Sequence, residues 1–300
     1  MGFYRAIKTV ISPVLKRVYK PWIRGVEKIP REGAAILASN HQAVWDSIFL
    51  PAMIDREVVF MGKSDYFTGK GVKGWAVRNF MKAVGTIPVD RSGRKAAEAA
   101  MQAGLSVLKK GQLFGIYPEG TRSPDGKLYR GKTGVARLAL ESGAPVIPVA
   151  MIGTHQAQPI GKKIPSRTNI GIIIGDPLDF SRYRALKRDR YALRAVTDEI
   201  MYSLMMLSGQ EYVDRYAADV KAELAAAGKF NGPMPGGQTE GANKATIPAL
   251  ETMAGEVETA ESRETPTVKE AISAAEATPQ AVLSEGSDSR SGMVSSLHVE

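Results

Sequence analysis

Short apolar runs alternate with longer segments of helical character along the first three quarters of this chain, and that alternation limits what it can fold into. Ala34–Ser39, Val58–Met61, Gly85–Val89, Leu113–Tyr117, Val146–Ala150 and Asn169–Ile174 read as strands. Pro88 cannot donate to a ladder, so the third run belongs at a sheet edge or strand end. Arg94–Lys110 is Ala-rich, has no β-branched run, carries Lys109 and Lys110 in its last turn and stops at Gly111, so it reads as a helix. Gly134–Glu141 reads as another, closed near Gly143, and two more follow at about 187–207 and 210–228. Units of this size predict an α/β fold: a layered sandwich with a mostly parallel central sheet flanked by helices.

The two ends differ from this body. In residues 1–22, Phe3, Ile7, Val10, Ile11, Val14, Val18 and Trp22 recur at helical spacing, with Arg5, Lys8, Lys16, Arg17 and Lys20 largely elsewhere. Ser12-Pro13 predicts a break and a second helix start. Such a segment either lies in the plane of an anionic membrane or packs its stripe on the domain. Residues 23–230 form the expected domain. From Asn231 to Glu300 the chain has no Phe, Tyr or Trp and carries four basic and eleven acidic residues, a composition expected to stay disordered. That tail is near −7, so the net charge of +9 leaves the body near +16. A body this basic suits an anionic partner: a lipid surface, a phosphorylated substrate or nucleic acid.

The absence of cysteine excludes a disulfide, a Cys-ligated zinc and a Cys nucleophile. No apolar run approaches the roughly 18–20 residues of a spanning helix. Pro13 and the basic residues after it argue against a signal peptide, and Ala6 stands where a myristoylation start needs Ser or Thr.

Chemistry concentrates just after the strands. His41 follows the first of them in Asn40-His41-Gln42-Ala43-Val44-Trp45-Asp46. If a helix starts soon after His41, Asp46 in its first turn reaches back to the ring, fixes the tautomer and leaves one nitrogen to take a proton. Taken alone, the spacing favours a structural histidine. Tyr117-Pro118-Glu119-Gly120-Thr121-Arg122-Ser123 follows another strand and offers a guanidinium fork, two hydroxyls and a glycine, at the kind of strand end where open α/β sheets bind ligands. Lys63 and Arg91 also come just after predicted strands. Each basic residue alone reads as a solvated charge, but parallel strands would gather them on one edge beside His41. Gly126–Thr133 matches the phosphate-loop pattern literally, yet a turn rather than a strand leads into it, and Tyr129 and Arg130 lie between its glycines. No Gly-x-Ser-x-Gly elbow occurs, so a substrate hydroxyl rather than a protein nucleophile is expected to attack.

Asn40-His41-x4-Asp46 followed by Glu119-Gly120-Thr121-Arg122 resembles the glycerolipid acyltransferases, most closely the 1-acyl-sn-glycerol-3-phosphate acyltransferase type. Gly85–Arg91 and Val146–Ala150 resemble two further blocks of that family, in order, and the likeness runs from about Trp22 to Phe180. The resemblance implies His41 as general base and Asp46 as its orienting partner. It implies Arg122 as the ligand of the acceptor's phosphate, with Glu119, Gly120 and Thr121 in the same acceptor site and Arg91 and Lys63 assisting. Tyr117 stands where the family usually has Phe or Val. The implied reaction moves a fatty acyl group from acyl-CoA or acyl-carrier protein to the sn-2 hydroxyl of 1-acyl-glycerol-3-phosphate. Another lysophospholipid, glycerol 3-phosphate or a glycolipid is the alternative acceptor. Backbone N–H groups near the first helix start are candidate donors to the oxyanion. No metal or cofactor is implied. The expected partners are the two substrates and an anionic membrane surface at the cytoplasmic face, not nucleic acid, for which no recognition motif is present.

Overall fold

The computed structural model describes residues 2–63, 65–83, 85–89, 94–162, 164–230 and 232. The expected tail, Gly232 aside, and Arg91 lie outside them. In chain order the elements are α1 (Gly2–Tyr19), β1 (Trp22–Arg24), β2 (Ala35–Ser39), α2 (Asp46–Met53), β3 (Val58–Lys63), α3 (Asp65–Thr68), α4 (Gly71–Ala83), β4 (Thr86–Val89) and α5 (Arg94–Lys109). They continue with β5 (Leu113–Ile116), β6 (Leu128–Tyr129), α6 (Gly134–Ser142), β7 (Val146–Ile152), α7 (Thr154–Ala157), β8 (Gly171–Ile174), α8 (Arg190–Ser208), β9 (Tyr212–Val213) and α9 (Ala217–Ala226).

Seven strands form one sheet in the order β1-β8-β7-β2-β5-β3-β4, parallel throughout except where β7 meets β8. The expected layered, mostly parallel α/β architecture is therefore present, and Pro88 does lie on an edge strand. β2 is buried at all five positions. Its side chains alternate between two cores, as the pleat requires. Ile36 and Ala38 join Phe114, Val135, Leu138, Val196, Ile200 and Leu204 under α5, α6 and α8. Ala35 and Leu37 join Leu15, Phe49, Leu50, Ile147 and Ile172 under α1 and α2. β2, β5, β3 and β4 run in one direction, so the loops that follow them emerge on one edge.

Three local expectations are corrected. The helix α1 continues through Pro13 instead of breaking there. Proline inside a helix costs about 3 kcal/mol; here tertiary contacts hold both sides, with Ser12 Oγ donating to Ala52 O at 3.0 Å and Leu15 buried against the domain. Trp22 does not end the helix but opens β1, its N–H on Ile170 O and its Nε1 on Asn169 Oδ1. The register sets Trp22 opposite Gly171, where a Cβ would stand 2.2 Å from the indole, so only glycine admits the ring. The expected helix from 210 is also shorter. Gly209 at φ 66° closes α8, and the next residues pair with β6 before α9 begins at Ala217.

Candidate active site

The strand β2 hands its direction to Asn40 and His41. Asn40 is fully buried, and its side chain brackets Met151 on β7, accepting from Met151 N at 2.7 Å and donating to Met151 O at 3.1 Å. It thus moors the strand end.

His41 comes next, and Asp46 is the first residue of α2. Asp46 Oδ2 accepts from His41 Nδ1 at 3.0 Å, Gln42 N at 2.7 Å and Ala43 N at 2.8 Å. One carboxylate oxygen closes the loop and grips the ring; Oδ1 is buried with no hydrogen-bond partner among the described residues. With Nδ1 donating, Nε2 is left as the basic nitrogen. Burial lowers the His41 pKa below its ordinary value, Asp46 opposes that shift, and the charges of Arg122 and Lys221 add to it. The ring is therefore neutral at pH 7, as a base must be. Its side chain keeps 17% exposure, enough for a substrate proton to reach it.

The second loop clamps His41 by its backbone. Glu119 Oε1 accepts His41 N at 3.0 Å, and Ser123 N donates to His41 O at 2.7 Å. Glu119 Oε2 accepts Tyr129 N at 3.0 Å. Both oxygens of Glu119, expected in the acceptor site, thus serve backbone groups. Its carboxyl is pushed up to about 8, first by burial, with the two N–H donors pulling the other way. Gly120 turns the loop at φ 74°.

Arg122 is half-buried and close enough to lower the His41 pKa. Thr121 Oγ1 accepts from Lys221 Nζ at 2.8 Å. The backbone of Lys63 ends β3 opposite Val89, on the edge shared with His41 and the Glu119 loop. The side chain of Lys63 lies outside what is described. Hydrogen bonds bring His41, Asp46 and Glu119 together, Gly120, Thr121 and Arg122 continue the Glu119 loop, and Lys63 lies on the same sheet edge by backbone position.

Some expectations change. The N–H groups of Gln42 and Ala43 are taken by Asp46, and that of Trp45 donates to Gln158 Oε1 at 3.2 Å, so these three are not free for an oxyanion. In the phosphate-loop look-alike, the N–H groups of Leu128, Tyr129 and Arg130 donate to Glu211 O, Glu119 Oε2 and Val213 O. They cannot cradle a phosphate. Among the described residues no group of three or more His, Cys, Asp or Glu comes together as a metal requires.

Two residues take places at the site that no sequence pattern signals. Tyr117 stacks on the His41 ring, with centroids 3.8 Å apart and planes within 12°, and its hydroxyl meets Ser47 Oγ at 2.8 Å. Burial raises its pKa well above the ordinary value, so it stays neutral. Nothing in the sequence marks a ring that stacks on a neighbouring strand's histidine. Lys221 is 1% exposed on α9. In sequence it is one lysine among alanines and reads as a solvated charge.

The site is thus a His–Asp pair at the parallel edge of an α/β sheet, joined by hydrogen bonds to a Glu-Gly-Thr-Arg loop. Residues 20–152 match the acyltransferase family model, so the resemblance drawn from the motifs is borne out over that stretch. Among relatives, a chloroplastic 1-acyl-sn-glycerol-3-phosphate acyltransferase of Arabidopsis thaliana is 31% identical over 55% of this chain and 45% of its own length. A 1-acyl-sn-glycerol-3-phosphate acyltransferase of Bacillus subtilis is 28% identical over 58% of this chain and 81% of its own. The chain spans about half the length of several curated relatives it matches. The crystal structure of the 1-acyl-sn-glycerophosphate acyltransferase PlsC of Thermotoga maritima shares the fold, with a TM-score of 0.52 at 22% identity over 69% of this chain and 82% of that one.

Proposed function

We propose that this protein transfers a fatty acyl group from a thioester donor, acyl-CoA or acyl-carrier protein, to the sn-2 hydroxyl of 1-acyl-glycerol-3-phosphate, giving phosphatidic acid. The observation that carries the chemistry is the 3.0 Å contact between His41 Nδ1 and Asp46 Oδ2 on a ring that burial keeps neutral. His41 Nε2 takes the proton of the acceptor hydroxyl as its oxygen attacks the thioester carbonyl. The C–O bond forms, the C–S bond breaks, and the proton held by His41 goes to the departing thiolate. General-base help of this kind is worth about 10²–10⁴ in rate. The relatives' names point to the acceptor, and Arg122, one residue from the Ser123 N–H bonded to His41 O, is the cation that would take its phosphate.

Attachment to an anionic membrane belongs to the same reading. Among the described residues no helix is long and apolar enough to cross a bilayer. Ser12 and Leu15 are buried and Tyr19 is partly so, its ring edge-on to Phe49, which leaves Val14 56% and Val18 37% exposed. Lys16, Arg17 and Lys20 are exposed on or just after the same helix, and α4, which touches α1, exposes Val72 and Trp75. Apolar side chains beside lysines and arginine suit a headgroup interface.

The test is an acceptor panel with one acyl-CoA: 1-acyl-glycerol-3-phosphate, the matching monoacylglycerol, glycerol 3-phosphate and a second lysophospholipid. Turnover highest with 1-acyl-glycerol-3-phosphate is expected. Turnover highest with an unphosphorylated acceptor would overturn the assignment.

A further inference from the structure

We propose that Lys221 is a positioning residue for the acceptor's phosphate, holding the Glu119–Ser123 loop through Thr121 and adding its charge behind Arg122. The inference rests on the reading that the acceptor carries a phosphate. It extends that reading by bringing in a helix, α9, that lies beyond residue 152, where the family match ends.

A lysine this buried is rare unless paired. Lys221 is 1% exposed, donates to Thr121 Oγ1 at 2.8 Å, and has its Nζ 5.8 Å from the centroid of the Phe230 ring. Among the described residues no carboxylate forms an ion pair with it. Glu119 is close enough to favour its charge, but both Glu119 oxygens hold backbone N–H groups. Arg122 disfavours that charge, and burial does so more strongly, bringing the Lys221 pKa down to about 8. Two cations in one poorly hydrated place repel each other, and a methionine would fill the lysine's volume without that penalty. A dianion in front of Arg122 reverses the balance, because it attracts both charges at once. The Lys221–Thr121 bond fixes the residue next to Arg122, so the same side chain supplies charge and sets the aim of the guanidinium.

The experiment compares soluble short-chain lysophosphatidate with the matching monoacylglycerol and with acyl-CoA, on the full chain. For Lys221→Met the KM for lysophosphatidate is expected to rise about tenfold or more, while kcat and the KM for acyl-CoA stay within about twofold. Lys221→Arg, which keeps the charge, should stay within about threefold of wild type. Thr121→Val, which keeps the ammonium and removes its anchor, should shift the same KM less far. Lys221→Met with an unchanged lysophosphatidate KM, or with equal losses for both acceptors, overturns the inference. If Lys221→Met does not fold, the Arg and Thr121→Val variants decide: an unchanged KM in Thr121→Val, or equal losses for both acceptors, overturns it. A wild type that does not prefer the phosphorylated acceptor defeats the phosphate reading itself. A wild-type preference that is undiminished in Lys221→Met defeats only the role of Lys221.

Discussion

Glu119 and His41 stand 78 positions apart in the chain, and the carboxylate of one accepts the backbone N–H of the other at 3.0 Å. That bond joins the loop after β5 to the loop after β2. The orientation of the imidazole thus depends on a residue that need touch neither substrate.

Replacing that carboxylate should show the coupling. In Glu119→Gln one backbone N–H, of His41 or of Tyr129, faces an amide NH2 instead of an acceptor. A buried donor left without a partner costs about 1–3 kcal/mol. Denaturant unfolding should show a loss of that size, and initial rates should fall about tenfold or more; a variant with wild-type stability and rate would disprove the strut. The pH dependence has a definite sign. Burial lifts the folded pKa to about 8, so the native state holds a proton that the unfolded chain has released. This group's contribution to stability therefore declines as pH rises from the usual carboxylate range towards 8, and Glu119→Gln should flatten that decline.

Acyl transfer should depend on the neutral form of His41. Burial lowers its pKa, so the acid limb of kcat/KM is expected below the ordinary histidine value. Asp46 opposes that shift, so in Asp46→Asn the limb should move to still lower pH while the rate drops. An acid limb above the ordinary value in the wild type would contradict the assignment.

His41→Ala should lower acyl transfer by about 10²–10⁴, the usual worth of a general base. Sedimentation with anionic vesicles should be unaffected, since the exposed side chains of α1 are unchanged in that variant. Near-normal transfer would show that another group takes the proton.

Tyr117 offers a graded test. Tyr117→Phe keeps the ring on His41 and removes only the contact with Ser47, so activity should stay within about threefold. Tyr117→Ala takes away the stacked face and leaves a cavity, with a stability loss of about 3–5 kcal/mol. Equal effects of the two would show that the hydroxyl, not the ring, matters.

Membrane attachment is best tested by Val14→Asp with Val18→Asp. Deleting α1 would also remove Ser12, Leu15 and Tyr19 from the packed face, confusing release with unfolding. The double variant should lose anionic-vesicle binding at unchanged Tm; full retention would exclude this stripe as the contact.

The elements and the chemical inventory are legible in the order of the residues. Apolar runs of strand length between helical segments can pack only as a layered α/β sheet, and with parallel strands the groups that follow them, His41, Lys63 and the Glu119–Arg122 loop, must share an edge. Spacing also put Asp46 within reach of His41, because a helix start five residues on turns the carboxylate back. Long-range packing sets what local pattern does not encode. Pro13 stays inside a helix because packing on α2 outweighs a local penalty. The backbone donors beside Asp46 are consumed by that carboxylate, so a nearby N–H is not an available one. Tyr117 and Lys221 reach the site through strand adjacency and through a helix far along the chain, and long-range contacts of that kind leave no period or motif in the residues that make them.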